Sequence, residues 1–308
     1  MPLLRNLLVG MSTNPPLRRF GESSRWGAKL SSRFVAGMEI GDALRVAEST
    51  NSQGMSVSLD SLGESVSTEE EARQAAEVYH DLLDSIFERK LDANISVKLT
   101  QLGLEFDPEV AETMAADLVL HAKSTGSFVR VDMEGSALTQ ITLDIVRRLH
   151  ARPDMQGAVG IVIQAYLYRS QKDIEQLLEE GIRVRLCKGA YSEPATVAFP
   201  HKADVDDNFV RLSCMLLDSP VYHGLATHDE AMIEAAQSYA RQHGIDPGKF
   251  EFQMLFGIRR DLQRKLAQEG YNVRIYVPFG RAWYPYFMRR LAERPANVLF
   301  LVKNFFRS

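Results

Sequence analysis

Ala158-Val159-Gly160-Ile161-Val162-Ile163-Gln164, an amphipathic stretch opening near Ser170, and then Ile182-Arg183-Val184-Arg185-Leu186-Cys187-Lys188 make one β–helix–β unit. The two outer runs are short and rich in β-branched residues, as strands are, and the segment between them has helical length and polarity. Reading outward, the unit recurs in both directions. Upstream lie Met55-Ser56-Val57-Ser58-Leu59-Asp60, Asn94-Ile95-Ser96-Val97-Lys98-Leu99 and Ser127-Phe128-Val129-Arg130-Val131-Asp132. Downstream lie Tyr222-His223-Gly224-Leu225-Ala226-Thr227, Lys249-Phe250-Glu251-Phe252-Gln253-Met254-Leu255 and Tyr271-Asn272-Val273-Arg274-Ile275-Tyr276-Val277.

Helix-start chemistry fills the gaps. Ser67-Thr68-Glu69-Glu70-Glu71 is a capping-box start for a helix to about Arg89, and Asp107-Pro108-Glu109 places an N-cap before a proline at the first helical position. Further helices are expected near 137–150, over about 204–218, from Asp229 and from about Arg259. Eight alternations in roughly 250 residues imply a (β/α)8 TIM-type barrel. A doubly wound open sheet is the alternative. Two features favour the barrel: no G-x-G-x-x-G follows any strand, and several strands carry polar residues at intervals of two. Residues 1–50 read as an N-terminal helical arm packed on the barrel, and 51–308 as the barrel itself, one domain overall.

The totals narrow the function classes. The chain has 308 residues, 45% hydrophobic and 25% charged, with net charge −4, which gives no case for a general nucleic-acid binder. Cys187 and Cys214 cannot form a disulfide framework, so a reducing cytoplasm is the default compartment. No apolar run approaches the roughly 18 residues of a membrane span. The greasy start, Met1 to Gly10, is broken by Arg5 and Asn6 and reads as a short packing helix, with a membrane-surface role as the alternative. H-E-x-x-H, C-x-x-C, G-x-S-x-G and the P-loop are all absent.

In a barrel the C-terminal strand ends face the active site. Here those ends are Asp60, Lys98, Asp132, Gln164, Lys188, Thr227-His228, Gln253 and Tyr276. Lys98 and Asp132 could touch, either as a functional pair or as a rim ion pair. Arg185, flanked by apolar residues, needs an anion or an electron-rich ring as partner. Thr227-His228-Asp229 is either a cofactor corner or a plain helix N-cap. After the last strand, Arg281-Ala282-Trp283-Tyr284-Pro285-Tyr286-Phe287-Met288-Arg289-Arg290 ends in adjacent guanidiniums beside aromatic rings. Such a pair suits a small, partly apolar ligand with one anionic end, or it is a solvated basic helix face.

Several segments resemble the proline dehydrogenases. They are Val97-Lys98-Leu99-Thr100-Gln101-Leu102-Gly103, Arg130-Val131-Asp132-Met133-Glu134, Gln164-Ala165-Tyr166-Leu167-Tyr168-Arg169, Arg185-Leu186-Cys187-Lys188-Gly189-Ala190-Tyr191, Ala226-Thr227-His228, Phe250-Glu251-Phe252-Gln253-Met254-Leu255-Phe256-Gly257, Arg274-Ile275-Tyr276-Val277-Pro278-Phe279-Gly280 and Tyr286-Phe287-Met288-Arg289-Arg290-Leu291-Ala292-Glu293. The match runs from about residue 30 to the end, with motifs in order, and the length resembles the compact monofunctional bacterial enzymes. Cys187 departs from the valine expected there, a mild change because buried cysteine behaves as a small hydrophobe.

The resemblance implies a (β/α)8 barrel that binds FAD without a Rossmann domain. It implies oxidation of L-proline to Δ1-pyrroline-5-carboxylate by hydride transfer from proline C5 to flavin N5, as the first step of proline catabolism. Electrons would pass to a membrane quinone, and the product to a separate pyrroline-5-carboxylate (glutamate semialdehyde) dehydrogenase. The setting implied is the cytoplasm or the inner face of the cell membrane. By the same resemblance Lys98, Asp132 and Arg185 are catalytic, with Lys98 paired to Asp132. Lys98, Leu255, Tyr276, Arg289 and Arg290 bind substrate, the two arginines clamping its carboxylate. Glu64 and Arg289 form a gate. Arg130, Met133, Gln164, Arg185, Lys188, Gly189, Ala190, Thr227, His228 and Gln253 hold the cofactor, and no metal is expected. Two rivals stay open on the residues alone: a Schiff-base lyase using Lys98 or Lys188, and a non-catalytic ligand-binding barrel.

Overall fold

Eight parallel strands pair in sequence order, and β1 closes the ring against β8. The computed structural model describes residues 32–63 and 65–293, with side chains described as far as Met288. The strands are β1 (Ser56–Ser61), β2 (Ala93–Val97), β3 (Val129–Val131), β4 (Val159–Gln164), β5 (Arg183–Cys187), β6 (His223–Ala226), β7 (Phe250–Leu255) and β8 (Asn272–Phe279). The helices are α1 (Ile40–Asn51), α2 (Glu69–Glu88), α3 (Pro108–Ser124), α4 (Thr139–Ala151), α5 (Ser170–Glu179), α6 (Lys202–Leu217), α7 (Glu230–Gln242), α8 (Arg260–Gln268) and α9 (Trp283–Glu293). The closed ring rules out the open-sheet alternative.

Local chemistry sets the helix starts. Thr68 caps α2 by accepting from the Glu71 N–H at 3.2 Å, while the Glu71 carboxylate reaches back to the Ser67 N–H at 2.8 Å. Asp107 caps α3 ahead of Pro108, and Asp229 caps α7 by accepting from the Ala231 N–H.

Strand alternation sorts the side chains. Val57, Leu59, Ile95, Val97, Val184 and Leu186 are fully buried in the main apolar cluster that the helix ring covers. The intervening residues point into the lumen. Arg185 on β5 donates to Ser58 on β1, a contact that must cross the barrel because the two strands lie on opposite sides of the ring. This lumen is polar and charged rather than the layered aliphatic filling usual for the fold. Such a core is tolerable only if its charges are hydrogen-bonded.

Residues 32–38 and α9 form a cap at the C-terminal end. Phe34 and Val35 pack with Trp283, Tyr284, Tyr286, Phe287 and Met288, and the Phe34 and Phe287 rings lie 6.2 Å apart. Backbone bonds sew this strip to β8: Ala36 N–H to the Pro278 carbonyl at 2.9 Å and Gly280 N–H to the Gly37 carbonyl at 2.9 Å. Gly257 (φ +77°) lets the β7–α8 turn pass directly under the strip, where a β-carbon would overlap the Arg33 carbonyl oxygen. α1 buries Ala43, Leu44 and Ala47 in the main core, so the described part of the N-terminal arm belongs to the barrel's packing.

Candidate active site

The lumen polar groups form layers from floor to mouth. At the floor, Arg130 donates to the carbonyls of Ile161 (3.1 Å) and Arg183 (2.8 Å), and its guanidinium lies 5.2 Å from the Phe128 ring. Gly160 makes room for it, since a β-carbon there would sit 2.7 Å from Arg130 Nη1. Beside it Arg274 Nε meets both oxygens of Glu251 at 2.9 and 3.0 Å, and Tyr222 donates to Glu251 at 3.1 Å.

One level up, Arg185 uses every edge of its guanidinium. Nε donates to Gln253 Oε1, Nη1 to Asp132 Oδ1 (2.8 Å) and Ser96 Oγ (3.0 Å), and Nη2 to Ser58 Oγ (3.1 Å). Its plane also faces the Tyr276 ring at 5.2 Å, so the alternatives of anion or ring partner are both realised.

At the mouth, Asp132 accepts from Ser96 at 2.7 Å and from the Tyr276 hydroxyl at 2.8 Å. Lys98 makes the expected pair with Asp132 and a closer one with Asp60. Its ammonium sits on Asp60 at 2.9 and 3.1 Å, with Asp132 further off at 3.7 Å. Asp60 is 1% exposed, so it needs the nearer cation more.

Electrostatics fix the charge states. Burial would lower the Lys98 pKa, but the Asp60 and Asp132 carboxylates override it and hold the ammonium protonated. Burial would raise Asp132, but Arg185 and then Lys98 pull it below the ordinary carboxylate value. Burial and the Asp132 charge push the Tyr276 phenol up. At neutral pH the cluster is therefore ammonium, carboxylate, guanidinium and neutral phenol. Lys98 is no neutral amine, which counts against the Schiff-base rival.

Gln164, at the end of β4, donates to the Met133 carbonyl at 3.3 Å while its Oε1 is buried without a partner. A buried acceptor left open at a barrel mouth fits a bound group with an N–H donor. Lys188 places its ammonium between Asp206 (2.5 Å) and Asp229 (2.8 Å), a rim clamp joining β5, α6 and α7. His228 is not idle at the α7 cap: its Nε2 accepts from the Leu255 N–H at 2.9 Å and thereby ties the ends of β6 and β7. Leu255 stands in register with Tyr276. Gly189 (φ +104°) follows Lys188, where a side chain would strike Tyr166.

Two of the residues expected around the cofactor lie below the mouth. Arg130 lies at the floor, bonded to carbonyls two layers below the mouth, and Gln253 is 3% exposed with its oxygen on Arg185 and its nitrogen on Glu251. Glu64 lies outside the described residues. So do the side chains of Arg289 and Arg290, whose backbone belongs to α9. Sequence reasoning missed Ser58, Ser96 and Glu134; Glu134 accepts from the Thr100 hydroxyl at 2.7 Å and has its pKa raised by burial. A serine in a strand carries no signal of its own. Glu134 could have been found as the charge two residues past a polar strand end. Among the described residues, no group of His, Cys, Asp and Glu is placed to hold a metal, and no helix is long and apolar enough to cross a membrane.

A TIM-type barrel with a buried ammonium–carboxylate–guanidinium cluster at its mouth belongs to the enzymes that use this fold for small polar substrates. The comparisons narrow the class. A family model described as Proline dehydrogenase matches residues 43–303. The chain is 40% identical over 302 residues to Proline dehydrogenase 1 of Bacillus subtilis subsp. natto, covering 98% of each. It is 38% identical over 304 residues to the proline dehydrogenase of Deinococcus radiodurans, covering 98% and 97%. The crystal structure of proline utilization A from Bdellovibrio bacteriovorus superposes with a TM-score of 0.84 at 24% identity, over 94% of this chain and 36% of that longer one. The chain belongs to the proline dehydrogenase family. It is accordingly an enzyme of proline oxidation in proline catabolism.

Proposed function

We propose that the barrel mouth binds FAD and L-proline together and that the chain converts proline to Δ1-pyrroline-5-carboxylate. The observation that carries the cofactor assignment is the buried, open acceptor of Gln164 beside the Arg185 cluster. Gln164, Met133, Lys188, Gly189, Ala190, Thr227 and His228 line the cofactor's place, with Arg185 at its reactive edge. FAD would be held there and would supply the two-electron acceptor that no described side chain provides.

The chain's own residues do the rest. Lys98, Leu255 and Tyr276 hold the pyrrolidine ring, and Arg289 and Arg290 clamp the carboxylate. As the C5–H bond breaks with its electron pair, the amine lone pair forms the C=N bond, so the amine must be neutral beforehand. Lys98 is held protonated and Asp132 is held a weak base, so neither accepts that proton readily. The cationic surroundings instead favour binding of proline with its amine already deprotonated. Arg185 stabilises negative charge arriving on its flavin-facing side. Glu64 and Arg289 gate the site. Electrons leave to a membrane quinone, the chain works in the cytoplasm or at the inner face of the membrane, and the product passes to a separate pyrroline-5-carboxylate dehydrogenase.

The test is spectroscopic. Purified protein should be yellow and should be bleached by L-proline under anaerobic conditions, with hydroxyproline as the control. A protein that stays colourless after incubation with FAD rejects the reading.

A further inference from the structure

Below the site, four side chains form a hydrogen-bonded chain with a single possible polarity. Arg274 Nε donates to both oxygens of Glu251 at 2.9 and 3.0 Å. Glu251 Oε1 accepts from Gln253 Nε2 at 2.5 Å, and Gln253 Oε1 accepts from Arg185 Nε. A guanidinium only donates, an ionised carboxylate only accepts, and an amide does one at each end. With donors at both ends of the chain, Gln253 must face oxygen toward Arg185 and nitrogen toward Glu251. Flipping the amide would put N–H against N–H at Arg185 and oxygen against oxygen at Glu251.

The carboxylate is ionised: burial would raise its pKa, but Arg274 overrides this and holds it below the ordinary value. Glu251 is 2% exposed, and among the described residues its carboxylate is satisfied by Arg274, Tyr222 and Gln253. Arg185 is held on its other side by Asp132, Ser96 and Ser58, so Gln253 is the sole anchor of its Nε.

We infer that Glu251 is a positioning residue for the reaction: it sets the orientation of the Gln253 amide, and that amide holds the Arg185 guanidinium at the height where it serves the mouth. The inference rests on the reading that Arg185 faces the flavin. It assigns function to a floor residue that touches neither substrate nor cofactor, two hydrogen bonds away from a group that does.

Two double variants separate this from mere stability. Glu251→Gln/Arg274→Met removes the buried ion pair but keeps an oxygen for Gln253 Nε2. Glu251→Met/Arg274→Met removes the same charges and the acceptor as well. Both should fold and bind flavin, because a balanced pair is exchanged for residues of similar volume. The first should keep kcat within about threefold of the parent; the second should lose about tenfold in kcat with an unchanged KM for proline, the scale of one buried hydrogen bond. Its flavin midpoint potential, measured by dye equilibration without proline, should also move negative relative to the first, because the guanidinium is no longer held up.

If the second double variant does not fold, Gln253→Leu, which leaves the Glu251–Arg274 pair intact, should show the same drop in kcat and the same negative shift. Equal potentials and equal kcat in the two doubles, or parent values in Gln253→Leu, overturn the inference. A parent protein that binds flavin but is not bleached by proline overturns the proline reading instead, and leaves the potential measurement able to decide this one. A parent protein that binds no flavin overturns both.

Discussion

Arg185 Nη1 donates to Asp132 Oδ1 at 2.8 Å, and the two residues sit on strands separated only by β4. The guanidinium is the largest charge that opposes burial and holds Asp132 ionised inside the barrel. Replacing Arg185 with Met leaves Asp132 buried with Lys98, at 3.7 Å, as its remaining ion-pair partner among the described residues. The Asp132 pKa then rises, and the variant should lose about 100-fold or more in kcat/KM at neutral pH, the scale of breaking a buried pair. Part of that loss should be recovered as pH rises, so the ratio of variant to parent kcat/KM should climb with pH. Steady-state kinetics between about pH 6 and pH 9 check this. A uniform loss at every pH would show that Asp132 keeps its charge without Arg185.

Tyr276 serves this pair twice, through its hydroxyl on Asp132 and its ring beneath the Arg185 guanidinium. Tyr276→Phe deletes the first contact and keeps the second. It should cost about tenfold in kcat/KM, as one charge-assisted hydrogen bond does, whereas Tyr276→Leu, which also removes the ring, should cost more. Equal losses in the two variants would mean that the ring contributes nothing.

Gly257 governs a site some distance from itself. A side chain there collides with the Arg33 carbonyl, and the strip around Arg33 is the seat of α9. Gly257→Ala should therefore destabilise the protein by at least about 1 kcal/mol, from the positive φ alone, and shift the backbone that carries Arg289 and Arg290. The functional signature is a raised KM for proline with flavin content unchanged. Arg290→Ala should give the same split more steeply. Loss of flavin with KM retained, in either variant, would separate α9 from the carboxylate.

Acid should unfold the barrel through its lumen. Asp132 and Glu251 are both held below their ordinary values of 3.8 and 4.5. Depressed carboxylates contribute stability that is complete above the unfolded pKa and is lost as pH falls through the folded one. The Tm should begin to fall below about pH 6.5, because burial holds His223 neutral in the fold with its pKa down at about 3, and should fall more steeply below about pH 4 as the carboxylates protonate. In Glu251→Gln/Arg274→Met, with one of the two carboxylates gone, the acid slope should be shallower. An unchanged slope would place the proton uptake elsewhere.

Much of this was legible along the chain. The alternation from Met55 to Val277 anticipates eight strands whose observed ends lie within two residues of expectation, because strand and helix periods are local consequences of backbone geometry. The polar strand ends anticipate the mouth, because parallel strands of a closed barrel all finish on one side. Depth within the barrel was not legible along the chain. Arg130 and Gln253 each stand two residues from a mouth residue, Asp132 and Leu255, and carry equally polar side chains, yet they belong to lower layers.

Partner choice was equally invisible. Lys98 is as plausible beside Asp132 as beside Asp60 until the stagger of neighbouring strands is known, and that stagger is a property of the closed ring. The sequence by itself therefore determined the fold and the side of the barrel where chemistry gathers, which follow from periodicity and residue type, while the family was carried by the resemblance of its motifs. Only the tertiary structure decided which charge meets which, and that Glu251 at the floor is tied to Arg185 above it. Arg185 and Glu251 stand 66 positions apart and are joined only through the Gln253 amide, whose orientation is set by its two partners in space.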